Sequence, residues 1–235
     1  MSFLQAEWRK LIMANYLISP EKIQKYVPKG TEPDLWNGNC YLSLVGFMFQ
    51  NTKVLGIKVP FHVNFEEVNL RFYVKRKENN EWKRGVVFIK EIVPKPAITL
   101  VANTLYKENY ETQKMDHNWN FTDELKASYQ WTAKDQWQKI QVTAKNSPVE
   151  LQEGSEAEFI AEHYWGYAKI SENETMEYEV THPKWKKYPV TEFSIDVNFE
   201  KVYGEEFSSL TSQKPASVYF IEGSKITVEK NRRIA

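Results

Sequence analysis

Four side chains that can form hydrogen bonds alternate along residues 65–74, FEEVNLRFYV. In a β-strand this spacing places Glu67, Asn69, Arg71 and Tyr73 on one face, while apolar residues occupy the other. If the polar face is exposed to solvent, it is an ordinary strand surface. If it is enclosed, it lines a cavity in which Arg71 could clamp a carboxylate and Glu67 could act as a base. The alternation alone leaves both interpretations open.

Two further segments concentrate polar and aromatic side chains. Asn103, Tyr106 and Tyr110 fall at the end of a predicted helix and in the turn that follows it. His182 precedes a proline, which holds it extended, and Trp185 follows in the same loop. Tyr110 and His182 are candidate acids, and the other three are candidate ligand contacts. The alternatives are tyrosine rings that pack with their hydroxyls at the surface, and a solvent-exposed loop histidine.

The common signatures of cofactor and metal chemistry are missing from the sequence. It contains no glycine-rich phosphate loop, Walker lysine or dinucleotide fingerprint. The four histidines are scattered and never show the paired spacing of zinc ligands. Cys40 stands alone in an apolar stretch, which is typical of a core residue. We therefore predict neither a cofactor nor a metal.

Composition and charge exclude several classes of partner. Among the 235 residues, 31 Lys and Arg balance 31 Asp and Glu, so no net field attracts nucleic acid or anionic lipid. A single cysteine rules out an internal disulfide and indicates a reducing compartment. The apolar run at 11–18 is too short to span a membrane. We predict a cytoplasmic protein without a nucleic-acid or membrane partner, and its oligomeric state stays open.

Strand patterns outnumber helix patterns along the chain. Short helices are expected after Ser19-Pro20, near Pro96 and after Ser155, where Glu158 completes a capping box. Because no linker or repeat is present, we predict a single domain over 1–235, of the α+β class and built around antiparallel strands. Strands are predicted at 39–50, 65–74, 85–93, 125–131, 137–144 and 193–199, with a last hairpin of 218–221 and 225–228 turned at Gly223-Ser224.

The ordered set of these segments resembles the uncharacterised YqjF-like family of the acetoacetate-decarboxylase-like superfamily. The similarity spans about residues 8–207. The resemblance implies a large, curved, antiparallel or mixed barrel-like sheet with a few short outer helices and an internal cavity. It further implies that Glu67, Asn69 and Arg71 face this cavity, while the apolar face of their strand packs under the helices. The motifs that carry it are FEEVNLRFYV, a Gly-Val-Val-Phe strand, the helix before the Tyr110 turn, EHYWGY and a His-Pro-x-Trp loop.

The same resemblance argues against the reaction of the decarboxylases. Those enzymes use a lysine Schiff base as an electron sink, and the resemblance places Tyr110 where their lysine falls. Lys107 and Lys114 are nearby in sequence but have the pattern of solvated surface residues. A Schiff-base mechanism is therefore not expected.

Three functions stay open at this point. The cavity could bind a small oxygenated or carboxylated molecule, held by Arg71 and oriented by Asn69 and Tyr110. It could instead support acid–base chemistry of the lyase or hydrolase type, with Glu67 as the base. A filled cavity would leave an interaction module. A buried Glu67 with a raised pKa close to Tyr110 would favour the enzyme.

Overall fold

The computed structural model describes residues 2–234, and strands dominate them. The long strands are those whose sequences alternate or are rich in β-branched and aromatic residues. Within this range the strands β1 to β16 are, in chain order, Leu4–Leu17, Glu32–Pro33, Tyr41–Val54, Phe65–Glu78, Glu81–Val93, Tyr110–Thr112, Met115–Phe121, Glu124–Ala133, Gln136–Lys145, Val149–Glu150, Trp165–Lys169, Thr175–Thr181, Lys186–Tyr188, Val190–Asp196, Ser217–Val228 and Arg232–Ile234.

The helices are short and lie between the strands. Proline stands at the first position of α1 and α2, and a serine or asparagine side chain caps α3 and α4. None of the helices in residues 2–234 is long and apolar enough to cross a membrane. The bounds are Pro20–Ile23 for α1, Pro96–Val101 for α2, Glu156–Ala161 for α3 and Phe199–Tyr203 for α4, with 3₁₀ turns at Gln24–Tyr26 and Glu205–Thr211 and a π-helical turn at Ala102–Tyr106.

Seven of the strands close into a barrel. The hydrogen-bonded order is β15-β1-β3-β4-β5-β11-β12, and β12 pairs again with β15. Val180 opposite Val228 marks this closure. All of these pairings are antiparallel except that between β5 and β11, which is parallel. The predicted α+β class with a curved, mixed, barrel-like sheet is confirmed.

A second sheet, of order β14-β9-β8-β7, packs against the outside of the barrel. The apolar positions of β4, such as Leu70 and Phe72, share a fully buried core with Tyr129 and Trp131 of this sheet. Phe199 of α4 joins the same core. The expectation that helices cover the apolar face of β4 is thus wrong in part, because a sheet covers much of it.

The last predicted hairpin is also wrong, since β15 runs unbroken through Gly223-Ser224. Gly223 has a φ of 78° and lies opposite Arg9 in β1. Any Cβ at this position would overlap the backbone carbonyl of Trp8. Next to it, Lys10 adopts a φ of 57°, where the register of β1 with β3 shifts. The glycine therefore allows the close approach of β1, at a point where β1 bulges against β3, and does not mark a chain reversal.

Two more predicted boundaries differ from the structure. The strand expected at 193–199 ends at Asp196, because the Asn198 side chain accepts a hydrogen bond from the Lys201 N–H and starts α4. The apolar run at 11–18, considered above only as a membrane segment, belongs to barrel strand β1. It pairs with β3 on one side and β15 on the other, and residues 11–16 are buried.

Candidate functional site

The interior of the barrel contains a cavity of about 290 Å³. Its walls are mainly aromatic and aliphatic, and its carboxyl and guanidinium groups come from β4, β5 and the turn before β6. Strand β4 supplies Glu67, Asn69 and Arg71, which share one face of the strand. The fourth residue of that face, Tyr73, does not line the cavity; its hydroxyl lies 2.7 Å from Ser43 Oγ in the packed part of the barrel.

Glu67 is the centre of the polar wall. It is 2% exposed, and both carboxylate oxygens accept hydrogen bonds at 2.9 Å, Oε1 from Asn69 Nδ2 and Oε2 from the Tyr110 hydroxyl. Burial raises the pKa of Glu67 to about 7, against the lowering effect of these two hydrogen bonds. The group therefore exchanges its proton near neutral pH.

The turn that follows the π-helical segment holds Tyr110 in place. Asn103 donates from Nδ2 to the Tyr110 carbonyl oxygen at 2.9 Å, and its Oδ1 accepts from the Tyr110 N–H at 2.7 Å. Asn103 does not line the cavity, so it positions Tyr110 and does not face a ligand. Tyr106 does line the cavity, and its hydroxyl donates to the carbonyl oxygen of Glu229 at 3.1 Å.

Two further glutamates on the cavity wall were missed by the sequence analysis. Glu91 stands on β5 between Asn69 and Tyr110 in the strand pairing. Burial, helped by the nearby Glu108 and Glu67, raises the pKa of Glu91 well above its usual value. Burial likewise raises the pKa of Glu108 to about 8. Both carboxyl groups are therefore protonated at neutral pH and can donate hydrogen bonds.

A β-bulge in β5 explains why the sequence pattern did not identify Glu91 as a residue of the cavity wall. Val86 and Phe88 face the cavity at even positions. The register with β4 then shifts between Leu70 and Arg71, so that Glu91 enters the cavity at an odd position and Ile92 faces the outer core at an even one. Strict alternation from Val86 would place Glu91 on the outer face. Only the pairing between strands reveals the switch.

Glu108 is held by a second tyrosine. The Tyr178 hydroxyl donates to Glu108 Oε1 at 2.7 Å, and the Tyr178 ring lies over Gly166 so closely that a Cβ there would overlap it. Burial raises the pKa of both Tyr110 and Tyr178 well above the usual value, so both stay neutral. The cavity thus contains two pairs, each made of a glutamate and a neutral tyrosine.

Arg71 is the only arginine or lysine among the described residues that line the cavity. Two histidines line the cavity as well. The Nε of Arg71 is buried and has no hydrogen-bond partner. Within residues 2–234 no acidic side chain forms an ion pair with it, Glu67 included. The guanidinium lies 5.8 Å from the centre of the Tyr73 ring. A buried cation without an acid partner is suited to an anionic ligand group.

The histidines that line the cavity do not include the one that the sequence suggested. His182 and Trp185 do not line the cavity: their rings stack at 3.9 Å, and His182 Nδ1 lies 2.9 Å from the Pro183 carbonyl oxygen. His163, beyond the end of α3, does line it. Its Nε2 is 3.5 Å from Asp34, and burial lowers the pKa of His163 to about 4. His163 is therefore a neutral ring near the Arg71 end of the cavity.

No lysine is found among the described residues that line the cavity. Lys107 is exposed, with a left-handed φ of 60° that ends the π-helical turn, and Lys114 is exposed as well. The cavity offers instead a carboxylate that titrates near pH 7, two neutral carboxyl groups and one unpaired guanidinium.

Several solved structures share this fold. The chain is similar to acetoacetate decarboxylase from Legionella pneumophila subsp. pneumophila str. Philadelphia 1, with 12% identity, coverage of 99% of this chain and 87% of the other, and a TM-score of 0.68. It is similar to the enduracididine biosynthesis enzyme MppR complexed with pyruvate, with 10% identity, coverage of 100% and 91%, and a TM-score of 0.70. It is also similar to an acetoacetate decarboxylase-like enzyme from Sphingomonas wittichii RW1, with 10% identity, coverage of 100% of this chain and 94% of the other, and a TM-score of 0.65. At these identities the similarity shows the fold.

The family is shown by the sequence. Residues 5–225 match the DUF2071 family, which is described as an uncharacterized conserved protein. The chain belongs to this family, and its fold is that of the acetoacetate-decarboxylase-like proteins, as the motifs predicted. No curated protein matches the chain.

Proposed function

We propose that the protein is an enzyme that moves a proton at a carbon next to a carbonyl group, in a small carboxylated substrate. The observation that carries this proposal is the contact between Tyr110 and a Glu67 side chain that is buried in the wall of the cavity. A general base works best when its pKa lies near the operating pH, and burial brings the pKa of Glu67 to about 7.

The neighbouring groups take complementary roles in the proposed reaction. Glu67 in its ionised form takes the proton from carbon, and the electron pair moves onto the carbonyl oxygen. The protonated Glu91 carboxyl, whose Oε2 has no hydrogen-bond partner, donates to the resulting enolate oxygen. Arg71 holds the substrate carboxylate. Glu67 then returns the proton to carbon, so that no outside oxidant or reductant is needed.

Binding without turnover is the second candidate. It is favoured by the fact that the hydroxyls of Tyr110 and Tyr178 already donate to Glu67 and Glu108. In that case Arg71 and the apolar walls would hold the molecule, and the glutamates would only set the polarity of the site. MppR, which has a similar fold, has been solved in complex with pyruvate, which supports a small carboxylated ligand in either case.

The test follows deuterium incorporation next to the carbonyl of 2-oxobutyrate and levulinate by NMR in D2O. We expect exchange above the buffer rate and a loss of roughly 10²–10⁴-fold of the enhancement in Glu67→Gln. Glu66→Gln is the matched control, since Glu66 is the adjacent residue and pairs with His117 at 2.6 Å. Equal exchange in wild type and Glu67→Gln contradicts the enzyme, and Arg71-dependent binding without exchange supports the second candidate.

A separate experiment tests the missing Schiff base. The cavity wall carries no lysine within the described residues, so incubation with acetoacetate and borohydride is expected to leave the protein mass unchanged. An adduct trapped on Lys107 or Lys114 would restore the decarboxylase mechanism. Intact-mass measurement followed by peptide mapping distinguishes the two results.

A further inference from the structure

The mouth of the cavity lies between two segments. Val59, in the connection from β3 to β4, and Val101, at the end of α2, both line the cavity, yet they are 43% and 41% exposed. A residue that both lines the cavity and contacts solvent marks an opening. The mouth is therefore bordered by residues 55–61 on one side and by α2 on the other.

Both borders expose large apolar side chains beyond the mouth itself. Phe61 is 87% exposed and Leu100 is 69% exposed, and Ile57 is exposed as well. Leu55 and Phe61 hold left-handed backbone conformations, with φ of 51° and 64°. Such conformations cost free energy in residues with a side chain and concentrate at ligand sites. Exposed apolar groups around an opening likewise indicate a binding role.

The residues that line the cavity extend along most of the first half of β4. Phe65, the first residue of β4, follows the connection that contains Val59, and Arg71 lies six residues further along the strand, which corresponds to roughly 20 Å. A volume of about 290 Å³ spread along this path leaves room for a slender molecule. Apolar side chains accompany the polar groups along it: Phe47 and Phe49 are paired beside Glu67 and Phe65, and Ile98 of α2 also lines the cavity.

We infer that the substrate is a carboxylic acid with an extended apolar chain, whose carboxylate meets Arg71 and whose tail leaves through the apolar mouth. This inference rests on the proposed function for the identity of the site, and it adds the class of substrate. The chain passes Asn69 and Glu67 on its way out, which brings its carbons past the base. The exposed side chains of the two borders then cover the tail.

Calorimetric titration of butyrate, hexanoate, octanoate and decanoate into the protein at pH 7 tests the inference. Each methylene that is buried contributes about 0.8 kcal/mol, which corresponds to about fourfold in affinity. We expect the affinity to rise by this factor per methylene until the tail reaches solvent. Equal affinity for butyrate and octanoate, or no binding of any of the four acids at 10 mM, would overturn the inference.

Variants of the mouth make the test specific. The double variant Val59→Thr and Val101→Thr keeps the side-chain shape, and we expect it to weaken octanoate several-fold and leave butyrate unchanged. Val149→Thr is the matched control, because Val149 is also 43% exposed and lies away from the cavity. Arg71→Lys should weaken all four acids by a similar factor and leave the dependence on chain length unchanged. A mouth variant that behaves like Val149→Thr would contradict the inference.

The outcomes separate this inference from the proposed function. If short oxo acids show Glu67-dependent deuterium exchange but chain length has no effect on binding, the proposed function stands and the inference of an extended apolar chain in the substrate is wrong. If affinity rises with chain length while Glu67→Gln exchanges deuterium as fast as wild type, the substrate class stands and the proton transfer is wrong.

Discussion

Two glutamates of the same strand, β4, have opposite surroundings. At its start, Glu67 is enclosed with two other glutamates and no cation bonded to it, and burial raises its pKa to about 7. At its end, Glu78 bonds to Lys83, Arg76 and Arg232, which lower its pKa to about 2. Local pairing, not strand position or residue type, decides which carboxylate stays charged.

The paired cluster contains a second, fully buried carboxylate. Glu177 accepts from Arg232 Nε at 2.7 Å and from Arg76 Nη1 at 3.3 Å, and Lys83 lies 3.5 Å away. Arg232 belongs to β16, so this cluster also joins β16 to the barrel. The comparison indicates that charges which support the fold are neutralised by partners, whereas the cavity keeps its polar groups available. Each prediction below tests one side of this contrast.

The largest loss of stability is expected when the ion pairs of Glu177 are broken. Glu177→Gln removes a fully buried charge and leaves three cations without it, and breaking a buried pair costs about 3–5 kcal/mol. We expect the free energy of unfolding in urea to fall by this amount, while Glu67→Gln at pH 8 leaves it unchanged or raises it. A Glu67→Gln variant as damaged as Glu177→Gln would show that the cavity glutamate is structural.

The pH dependence of stability should reveal the raised pKa of Glu67, which has no cation bonded to it. The folded protein keeps a proton on Glu67 up to a pKa of about 7, whereas the unfolded chain releases it near 4.5. Stability is therefore present at low pH and is lost as the pH rises through this window. At about 1.4 kcal/mol per unit, Glu67→Gln should gain on the order of 3 kcal/mol relative to wild type between pH 5 and pH 8. Groups that do not interact with Glu67, such as His163, cancel in this difference, and a constant difference would contradict the raised pKa.

A smaller loss of stability is expected when the packing of Tyr178 against Gly166 is disturbed. Gly166→Ala forces its Cβ into the ring of Tyr178 and displaces the hydroxyl from Glu108. Overpacking of this kind costs about 1–3 kcal/mol. A double-mutant cycle with Tyr178→Ala provides the control, since the added methyl should be tolerated once the ring is gone. Equal costs in the two backgrounds, measured by urea unfolding, would locate the strain elsewhere.

The smallest effect on the free protein is expected for Arg71→Lys. Because no acid among the described residues pairs with Arg71, the melting temperature without ligand should stay nearly unchanged, while the stabilisation by octanoate falls as the two parallel hydrogen bonds are lost. Arg76→Lys is the matched control, since Arg76 bonds to Glu78 and Glu177 and should lower the melting temperature by itself. Equal octanoate shifts in wild type and Arg71→Lys would rule out the carboxylate clamp.

Local periodicity predicted one wall of the site and the class of fold. The alternation of 65–74 placed Glu67, Asn69 and Arg71 on one face, and the structure turns that face into the barrel. The family resemblance, and not the alternation, indicated that this face is enclosed. Tyr73 continues the pattern but lies in the packed interior beyond the cavity. Alternation specifies a face of a strand but not how far along it a cavity extends.

The rest of the site depends on contacts that a single sequence does not display. Glu91 reaches the cavity through a bulge in the pairing of β5 with β4, and Glu108 reaches it through a left-handed Lys107 after a π-helical turn. His163 follows α3, which ends at Ala161, so it lies outside the helix and can face the cavity. Breaks in regular structure redirect side chains, and the patterns of regular structure cannot reveal them.

The closure of the barrel has a consequence for folding during synthesis. Leu4 pairs with Val228 and Val180 also pairs with Val228, so β1 and β12 keep unpaired edges until β15 has left the ribosome. Contacts so distant in sequence slow folding and leave strand edges open to other chains. Until then Glu67, Glu91 and Glu108 are hydrated and ionised, so the final closure of the barrel takes up protons. The closure of the barrel should therefore be more favourable in mildly acidic than in alkaline conditions.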